Sequence, residues 1–182
     1  MGWNQFQERR EGLDFNLILS LPIAQRLVSH VFSAADGVPS TTIQGPYELG
    51  ILFSSDADGW ITALRYYCCS AGDVNAHAGN LWDPAGTLIG TATFGAGYSL
   101  GWKEVALASP VAITAGGLYC ASFTSDDKLT GKTSAGFDSE RYRPPLHTPI
   151  TAGVYNGTPG SYPTIPGYLN SNYWVDVSFQ YK

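Results

Sequence analysis

The stretch that most restricts the fold is the C-terminal run YWVDVSFQY, residues 173–181. Its side chains alternate between two sets, and a period of two is the spacing of a β-strand, whose successive residues point to opposite faces. The alternation predicts a strand with one face in a hydrophobic core. That face carries Tyr173, Val175, Val177, Phe179 and Tyr181, and the opposite face carries Trp174, Asp176, Ser178 and Gln180.

Shorter runs of strand-forming residues recur along the chain. Residues 47–54, YELGILFS, alternate in the same way, and residues 60–69, WITALRYYCC, are rich in β-branched and aromatic side chains. Residues 80–94 predict a hairpin whose turn is Asp83-Pro84-Ala85-Gly86. The other predicted strands are residues 102–114 and 118–125, separated by Ala115-Gly116-Gly117.

The composition favours the same class of fold. Charged residues make up only 14% of the chain of 182 residues, against roughly 25% in an average soluble protein. Aromatic residues reach 13%, and 21 Gly and 11 Pro can supply turns. With about eight short strands, the chain is predicted to be all-β, an antiparallel β-sandwich resembling a jelly roll. Residues 125–172 show no sustained period and predict a long irregular loop region.

The chain divides into two parts at about residue 27. Residues 1–27 contain a short alternating stretch followed by a pattern that also allows a short helix. Two interpretations of this N-terminal extension stay open: an edge strand or strap on the sandwich, and an arm that anchors the protein in a larger assembly. Residues 28–182 are predicted to form the β-sandwich domain.

The sequence DADG at residues 56–59 raises the choice between a calcium loop and a turn. An EF-hand has the pattern D-x-[DN]-x-[DN]-G with a closing Glu, between two helices. Here Gly59 follows Asp58 directly, Tyr67 stands at the closing position, and both flanks are predicted strands. A turn between two strands is predicted, because Asp bonds its own backbone and Gly accepts a positive φ. No metal site is assigned. Irregular calcium sites stay open at two acidic pairs: Asp56 with Asp58, and Asp126 with Asp127.

Two kinds of sequence pattern that often mark catalytic or metal sites, a nucleophile motif and grouped histidines, lack the features that such sites need. Residues 97–101, GYSLG, fit the G-x-S-x-G nucleophile elbow, but the residues that follow predict a strand where an elbow needs a helix. His30, His77 and His147 show no zinc-binding spacing. The chain is therefore predicted to have no catalytic residues, to need no cofactor and not to be an enzyme.

Aromatic side chains among Gly, Asn, Thr and Pro mark residues 142–174. Flat rings beside amide and hydroxyl groups suit sugars, because C–H faces stack on rings while hydroxyls take directed hydrogen bonds. The alternative is that these rings fill a second small core beneath the loops. The predicted ligand-binding residues are Tyr142, His147, Tyr155, Tyr162, Tyr168, Asn172 and Trp174.

Charge and hydropathy argue against two classes of partner. The net charge of −5, without a cluster of Lys and Arg, argues against nucleic acid. No apolar run approaches the ~20 residues of a membrane span. The N-terminal residues mix acidic side chains with Arg before a short apolar stretch, so no signal peptide is predicted. Cys68, Cys69 and Cys120 are predicted to be small buried residues outside any disulfide framework.

Several stretches, taken in order, carry a family resemblance. They are YELGILFSSDADGWITALRYY, HAGNLWDPAGTLIGTATF, GWKEVALASPVAITAGGLYCASF, and the C-terminal PPLHTP, GVYNGTPGSYPT and NSNYWVDVSF. Together they resemble, over about residues 28–181, the bacterial module known as domain of unknown function 4082. The resemblance implies a β-sandwich found in extracellular, often carbohydrate-associated proteins. It implies no assigned activity and provides no catalytic residues to transfer.

We predict a non-enzymatic structural or attachment component of a larger assembly. Decoration, tail or fibre proteins of a virion surface fit this description, and glycan binding is compatible with it. The alternative is a free-standing or accessory carbohydrate-binding module of a secreted bacterial protein. The expected partners are other protein subunits, contacted through residues 1–27, and glycans. The expected location is the virion surface or the extracellular space.

Overall fold

The computed structural model describes residues 26–43, 45–70, 75–97, 99–125 and 130–182. Nearly all of the predicted arm, together with Asp126 and Asp127, lies outside these residues. Within them the chain forms fourteen β-strands and one short 3-10 turn, Ala34–Asp36. The strands are β1 (Leu27–Ser29), β2 (Thr41–Ile43), β3 (Tyr47–Ser55), β4 (Gly59–Cys68), β5 (His77–Trp82), β6 (Leu88–Phe94), β7 (Gly101–Ile113), β8 (Tyr119–Ser125), β9 (Thr130–Lys132), β10 (Arg141–Arg143), β11 (Leu146–Thr148), β12 (Gly153–Asn156), β13 (Ile165–Pro166) and β14 (Val175–Tyr181).

The strands form two main antiparallel sheets, which confirms the predicted all-β sandwich. The first sheet has four strands in the order β1-β14-β4-β7. The second has eight, with the path β10-β11-β3-β8-β5-β6, and β12 also pairs with β3 while β13 pairs with β12. A small third sheet joins β2 to β9.

The hydrophobic core lies where the inner faces of the two main sheets meet. The second sheet contributes the alternating residues Leu49, Ile51 and Phe53 of β3, all fully buried. From the first sheet, Val177 and Phe179 of β14 are also fully buried. The period of two read in the sequence therefore identifies the core face of both strands, as expected for a sandwich whose inner faces interdigitate.

The predicted turns are present, but two of them connect different sheets. The hairpin at residues 83–86 is confirmed: β5 pairs with β6, and Asp83 Oδ1 accepts the N–H groups of Ala85 and Thr87 at 2.9 and 2.8 Å. Residues 56–58 join β3 to β4, which belong to different sheets, so this turn crosses the sandwich and closes no hairpin. The same holds for the turn between β7 and β8.

The long irregular region predicted for residues 125–172 contains more regular structure than expected. Strands β9 to β13 fall inside it, each of two to four residues, which is too short to show a period in sequence. Backbone bonds such as Ala135 N–H to Leu169 O (2.7 Å) and Phe137 N–H to Asn170 O (3.0 Å) fasten the remaining loops together. Within the described residues, the non-glycine positions with positive φ all lie in this region or directly after it, between residues 135 and 174. They are Ala135, Thr151, Leu169, Asn170 and Trp174.

Three further sequence predictions can be compared with the described residues. A strand, β7, follows GYSLG as predicted, and Ser99 Oγ accepts a hydrogen bond from Lys103 Nζ at 3.1 Å. Cys68 and Cys120 are buried, as predicted, whereas Cys69 is half-buried. Among the described residues there is no helix with the length and apolar character that crossing a membrane requires.

Residues 30–36, here called the strap, lie over the outer face of the first sheet and reach the second. The backbone N–H groups of Val31 and Phe32 donate to the carboxylate of Asp176 on β14, at 2.8 and 3.2 Å. The ring of Phe32 packs against Trp102 and Trp174, with centroid distances of 5.8 and 5.5 Å, and the two indoles lie 6.1 Å from each other. The end of the strap contacts β10 of the second sheet, so the strap links both sheets.

The contact with β10 is ionic. Asp36 forms ion pairs with Arg141 and Arg143, and its carboxylate also accepts the N–H of Ser33 at 2.6 Å. Burial acts to raise the pKa of Asp36, but the hydrogen bonds from Ser33 and the Arg141 guanidinium outweigh it and lower the pKa. Asp36 is therefore ionised near neutral pH, and its negative charge binds the strap to the two arginines of β10.

A buried charge network stands beneath the strap. Arg65 Nη1 donates to Asp176 Oδ2 at 2.7 Å, and Arg65 Nε lies 3.3 Å from Glu104 Oε2. The Arg65 side chain is 12% exposed and that of Asp176 is fully buried. Burial raises the pKa of Asp176 to about 6, and the Arg65 guanidinium together with the N–H donors of Val177, Val31 and Phe32 opposes that rise.

The raised pKa of Asp176 predicts a pH dependence of stability. The folded-state pKa of about 6 exceeds the ordinary value of 3.8, so the folded protein holds this proton at pH values where the unfolded chain has lost it. That stabilisation is fully present below about pH 4 and is lost as the pH rises through 6. We expect the difference in unfolding free energy between the wild type and Asp176→Asn to shrink by roughly 2–3 kcal/mol from pH 4 to pH 7.

Urea unfolding of both proteins across this pH range measures the difference, and other titrating groups cancel because the two chains share them. A difference that grows with pH would mean that the four donors around Asp176 favour its ionised form more than burial opposes it.

Candidate ligand-binding site

The seven predicted ligand-binding residues do not form one surface. Asn172 and Trp174 are 1% and 2% exposed and lie in the interior. Two more are half-buried: Tyr155 packs edge-on against Tyr47 at 5.8 Å, and Tyr162 packs against Trp82 at 5.6 Å. His147 is half-exposed. Tyr142 and Tyr168 present most of their rings to solvent, at 67% and 73% exposure.

Trp174 and Asn172 have a packing role. Trp174 donates from Nε1 to Thr133 Oγ1 at 2.9 Å while its ring stacks on Phe32, and Asn172 Oδ1 accepts the Trp174 N–H at 2.8 Å. The sequence placed Trp174 on the polar face of the last strand. That strand begins one residue later, at Val175, and Trp174 has a φ of 56°, so it lies outside the alternation.

A second small core covers part of the outer face of the second sheet. Such a core, filled by aromatic rings beneath the loops, is the alternative to a ligand surface that the sequence left open. It consists of Trp82, Cys120 and Val154, with Leu52 and Tyr162 packed against them. Tyr162 is therefore placed by packing, and only Tyr142, His147 and Tyr168 of the predicted set offer substantial surface.

A buried carboxylate fastens the loop that carries Tyr162. Glu48 is fully buried, and its Oε1 accepts the Ser122 hydroxyl at 2.5 Å and Asn80 Nδ2 at 2.8 Å. Its Oε2 accepts the N–H of Gly160 at 2.8 Å. Burial raises the pKa of Glu48, although each of these hydrogen bonds opposes the rise. The network joins β3, β5 and β8 to the loop after β12 and serves the fold.

Four residues at one end of the second sheet form the candidate site, here called the Tyr142 rim: Ser54, Asp56, Tyr142 and His147. The Tyr142 hydroxyl donates to Asp56 Oδ2 at 2.8 Å. His147 Nε2 lies 3.4 Å from Asp56 Oδ1 and 3.2 Å from Ser54 Oγ. The rings of Tyr142 and His147 meet edge-on with centroids 6.0 Å apart.

Strand pairing brings the rim together. Tyr142 on β10 stands directly opposite His147 on β11, and His147 stands directly opposite Ser54 on β3. Directly opposite residues of antiparallel strands project from the same face, so the three side chains share one face of the sheet. Asp56 follows β3 in the turn to β4, and its N–H donates to Pro145 O at 2.9 Å.

The rim carries negative charge. The side chain of Asp56 is 49% exposed, and the hydrogen bond from Tyr142 to Asp56 together with the charge of Asp56 raises the pKa of the Tyr142 hydroxyl. Asp58 is also exposed, and its Oδ1 accepts the N–H of Ala115 at 2.8 Å. Among the residues that the structure describes, no three His, Cys, Asp or Glu side chains are grouped as metal ligands. Asp126 and Asp127 lie outside that part of the chain.

The rim contains Ser, His and Asp, but their arrangement differs from a catalytic triad. A triad places the hydroxyl and the carboxylate on opposite nitrogens of the imidazole. Here Ser54 Oγ lies 3.2 Å from Nε2 and 3.4 Å from Nδ1, and Asp56 approaches the same Nε2. The geometry offers a flat ring, an imidazole and acceptor oxygens, which suit binding of a polar ligand.

Sequence reasoning identified two of the four rim residues. Tyr142 and His147 were predicted as ligand-binding residues, whereas Asp56 was read as part of a turn and Ser54 as an outward position on a strand. The sequence does show that Ser54 faces outward on its strand and that Asp56 directly follows that strand. It does not show that β11 pairs with β3, which brings His147 beside Ser54 and Asp56.

The comparison with known families agrees with the resemblance seen in the sequence. The family model described as Domain of unknown function (DUF4082) matches residues 33–175. The chain belongs to this family. The DUF4082 region includes all four residues of the Tyr142 rim, the second small core and the end of the strap. No curated protein matches the chain.

Proposed function

We propose that this DUF4082 protein is a non-enzymatic attachment domain that binds carbohydrate at the Tyr142 rim. The observation that carries the proposal is the ring of Tyr142, which is 67% exposed and held at its hydroxyl by Asp56. An aromatic ring that is exposed to solvent and fixed by a hydrogen bond is better suited to binding a ligand than to packing within the fold.

The chemistry of the rim fits a sugar. The apolar C–H face of a pyranose stacks on a flat ring, and the tyrosine edge stays polar. The carboxylate of Asp56 accepts hydrogen bonds from sugar hydroxyls, and His147 can donate or accept at its ring nitrogens. Because Asp56 fixes the Tyr142 ring before a ligand arrives, binding loses less side-chain entropy than it would with a freely rotating ring.

The proposal extends to attachment within a larger assembly. Strand β1 is an edge strand that pairs with β14, and Arg26 lies over the ring of Trp60 at 5.6 Å. The chain that precedes β1 would therefore join the sandwich at the edge of the first sheet, where Leu27 stands opposite Tyr181. This placement suits a decoration, tail or fibre protein of a virion. It suits equally an accessory carbohydrate-binding module of a secreted bacterial protein.

Replacing Tyr142 by Ala tests the rim directly. We expect glycans bound by the wild type on an array to bind the variant at least about tenfold more weakly, because the stacking ring is lost. Tyr142→Phe should lose less, since it keeps the ring and removes only the bond to Asp56. Affinities from isothermal titration with an array hit give the comparison.

Tyr168→Ala is the matched control, because Tyr168 is equally exposed and lies outside the rim. Unchanged affinity of Tyr142→Ala, or a loss of the same size in Tyr168→Ala, contradicts the assignment of the rim. An array without any bound glycan contradicts carbohydrate binding itself.

A further inference from the structure

The Tyr142 rim presents carboxylate oxygens to whatever docks on its ring. Each oxygen of Asp56 has one neighbouring polar group: the Tyr142 hydroxyl donates to Oδ2, and His147 Nε2 lies 3.4 Å from Oδ1. A carboxylate oxygen can accept two hydrogen bonds, so both retain acceptor capacity. Asp58 lies two residues further along the same turn and adds a second exposed carboxylate.

The nearest cations in the sequence, Arg141 and Arg143, do not offset this charge at the rim. They flank Tyr142 on β10, so their side chains project from the opposite face of the strand. There they are held by the strap: Arg141 pairs with Asp36, and Arg143 Nη2 donates to Ser33 Oγ at 2.8 Å. The face that carries Tyr142 therefore has acceptors and a negative charge.

We propose that the Tyr142 rim selects uncharged glycans and that Asp56 excludes glycans bearing carboxylate or sulfate groups. The inference rests on the proposed function and names the class of sugar that the site takes. A ligand hydroxyl satisfies a free lone pair of Asp56, whereas an anionic group meets a like charge and leaves that lone pair without a donor.

The test uses two oligosaccharides that differ in one residue: the first ends in galactose, and the second carries a sialic acid on that galactose. The full-length wild type should bind the uncharged member at least about tenfold more tightly at low ionic strength, where exposed charges are least screened. In Asp56→Asn the preference should fall to about threefold or less, because the amide keeps an acceptor for Tyr142 but carries no charge. Asp58→Asn removes the same charge two residues away and should keep most of the preference.

A second measurement shows that Asp56→Asn acts where intended. In that variant the pKa of the Tyr142 hydroxyl should move down toward its ordinary value of 10, measured by NMR of the ring carbons. If this pKa falls while the preference stays, Asp56 does not set the selectivity and the proposal is overturned. Equal loss of preference in Asp58→Asn overturns it too, because diffuse charge would then explain the effect.

Preference of the wild type for the sialylated oligosaccharide overturns the inference while leaving carbohydrate binding intact. Failure of both oligosaccharides and of every array glycan to bind overturns the proposed function and the inference together.

Discussion

Replacing Asp176 by Asn is expected to lower the free energy of unfolding by about 2–5 kcal/mol at pH 7. The carboxylate accepts the N–H groups of Val31 and Phe32 and a hydrogen bond from Arg65. An amide keeps one acceptor oxygen and turns an NH₂ group toward these donors. That NH₂ group has no lone pair, whereas a carboxyl group keeps lone pairs on both oxygens whether or not it is protonated. In either orientation of the amide, two buried donors lose their acceptor: Val31 and Val177, or Phe32 and Arg65. Each buried donor left without an acceptor costs about 1–3 kcal/mol.

Glu104→Gln provides the control within the same network. Glu104 contacts Arg65 from the other side at 3.3 Å, but its side chain is 51% exposed. Exposed ion pairs contribute about 0–1 kcal/mol, so this variant should lose no more than about 1 kcal/mol. Urea unfolding followed by tryptophan fluorescence compares the two variants. Equal losses of unfolding free energy in the two variants would mean that the buried Asp176 contributes no more to stability than the exposed Glu104.

Asp176 also shows where reasoning from the sequence stops. The alternation in residues 173–181 placed Asp176 opposite the core face, where a solvated carboxylate is expected. That placement is correct, yet the side chain is fully buried because the strap covers this outer face. Val31 lies 145 positions away in the chain, and no local period reports a contact of that separation.

The same limit separates the parts of the fold that could be predicted from those that could not. Strands β3, β4, β7, β8 and β14 and the β5–β6 hairpin were visible because a period of two or a turn signal is local. The sheet to which each strand belongs was not visible. Asp56 and Gly59 have the residue types of a hairpin turn, but the strands they join pair elsewhere, β3 with β8 and β4 with β14.

The candidate site divides in the same way. Tyr142 and His147 come from a short stretch, residues 142–147, and were predicted together. Asp56 reaches them only because β11 pairs with the end of β3. Conversely, Trp174 was predicted as a ligand-binding residue because it is one of the aromatic residues that stand among Gly, Asn, Thr and Pro. Its left-handed backbone instead turns the ring onto Phe32.

Replacing Phe32 by Ala is expected to cost about 3–5 kcal/mol of unfolding free energy. The ring is 1% exposed and packs against both Trp102 and Trp174, with the Arg141 guanidinium 4.9 Å from its centroid. Truncation removes the buried ring and leaves a cavity beside the two indoles. Val38→Ala is the control: it lies just beyond the strap and is 61% exposed, so it should change stability by less than about 0.5 kcal/mol.

Combining Phe32→Ala with Asp176→Asn shows whether the strap detaches as a unit. The Phe32 ring and the Asp176 carboxylate both hold residues 30–36 on the sheet. If either substitution alone detaches this segment, the second removes few further contacts. The double variant should then lose clearly less unfolding free energy than the sum of the two single losses. Additive losses would instead mean that the ring and the carboxylate stabilise the sandwich separately. Hydrogen exchange at the Val31 and Phe32 amides distinguishes these outcomes independently, because a detached strap exposes both amides in either single variant.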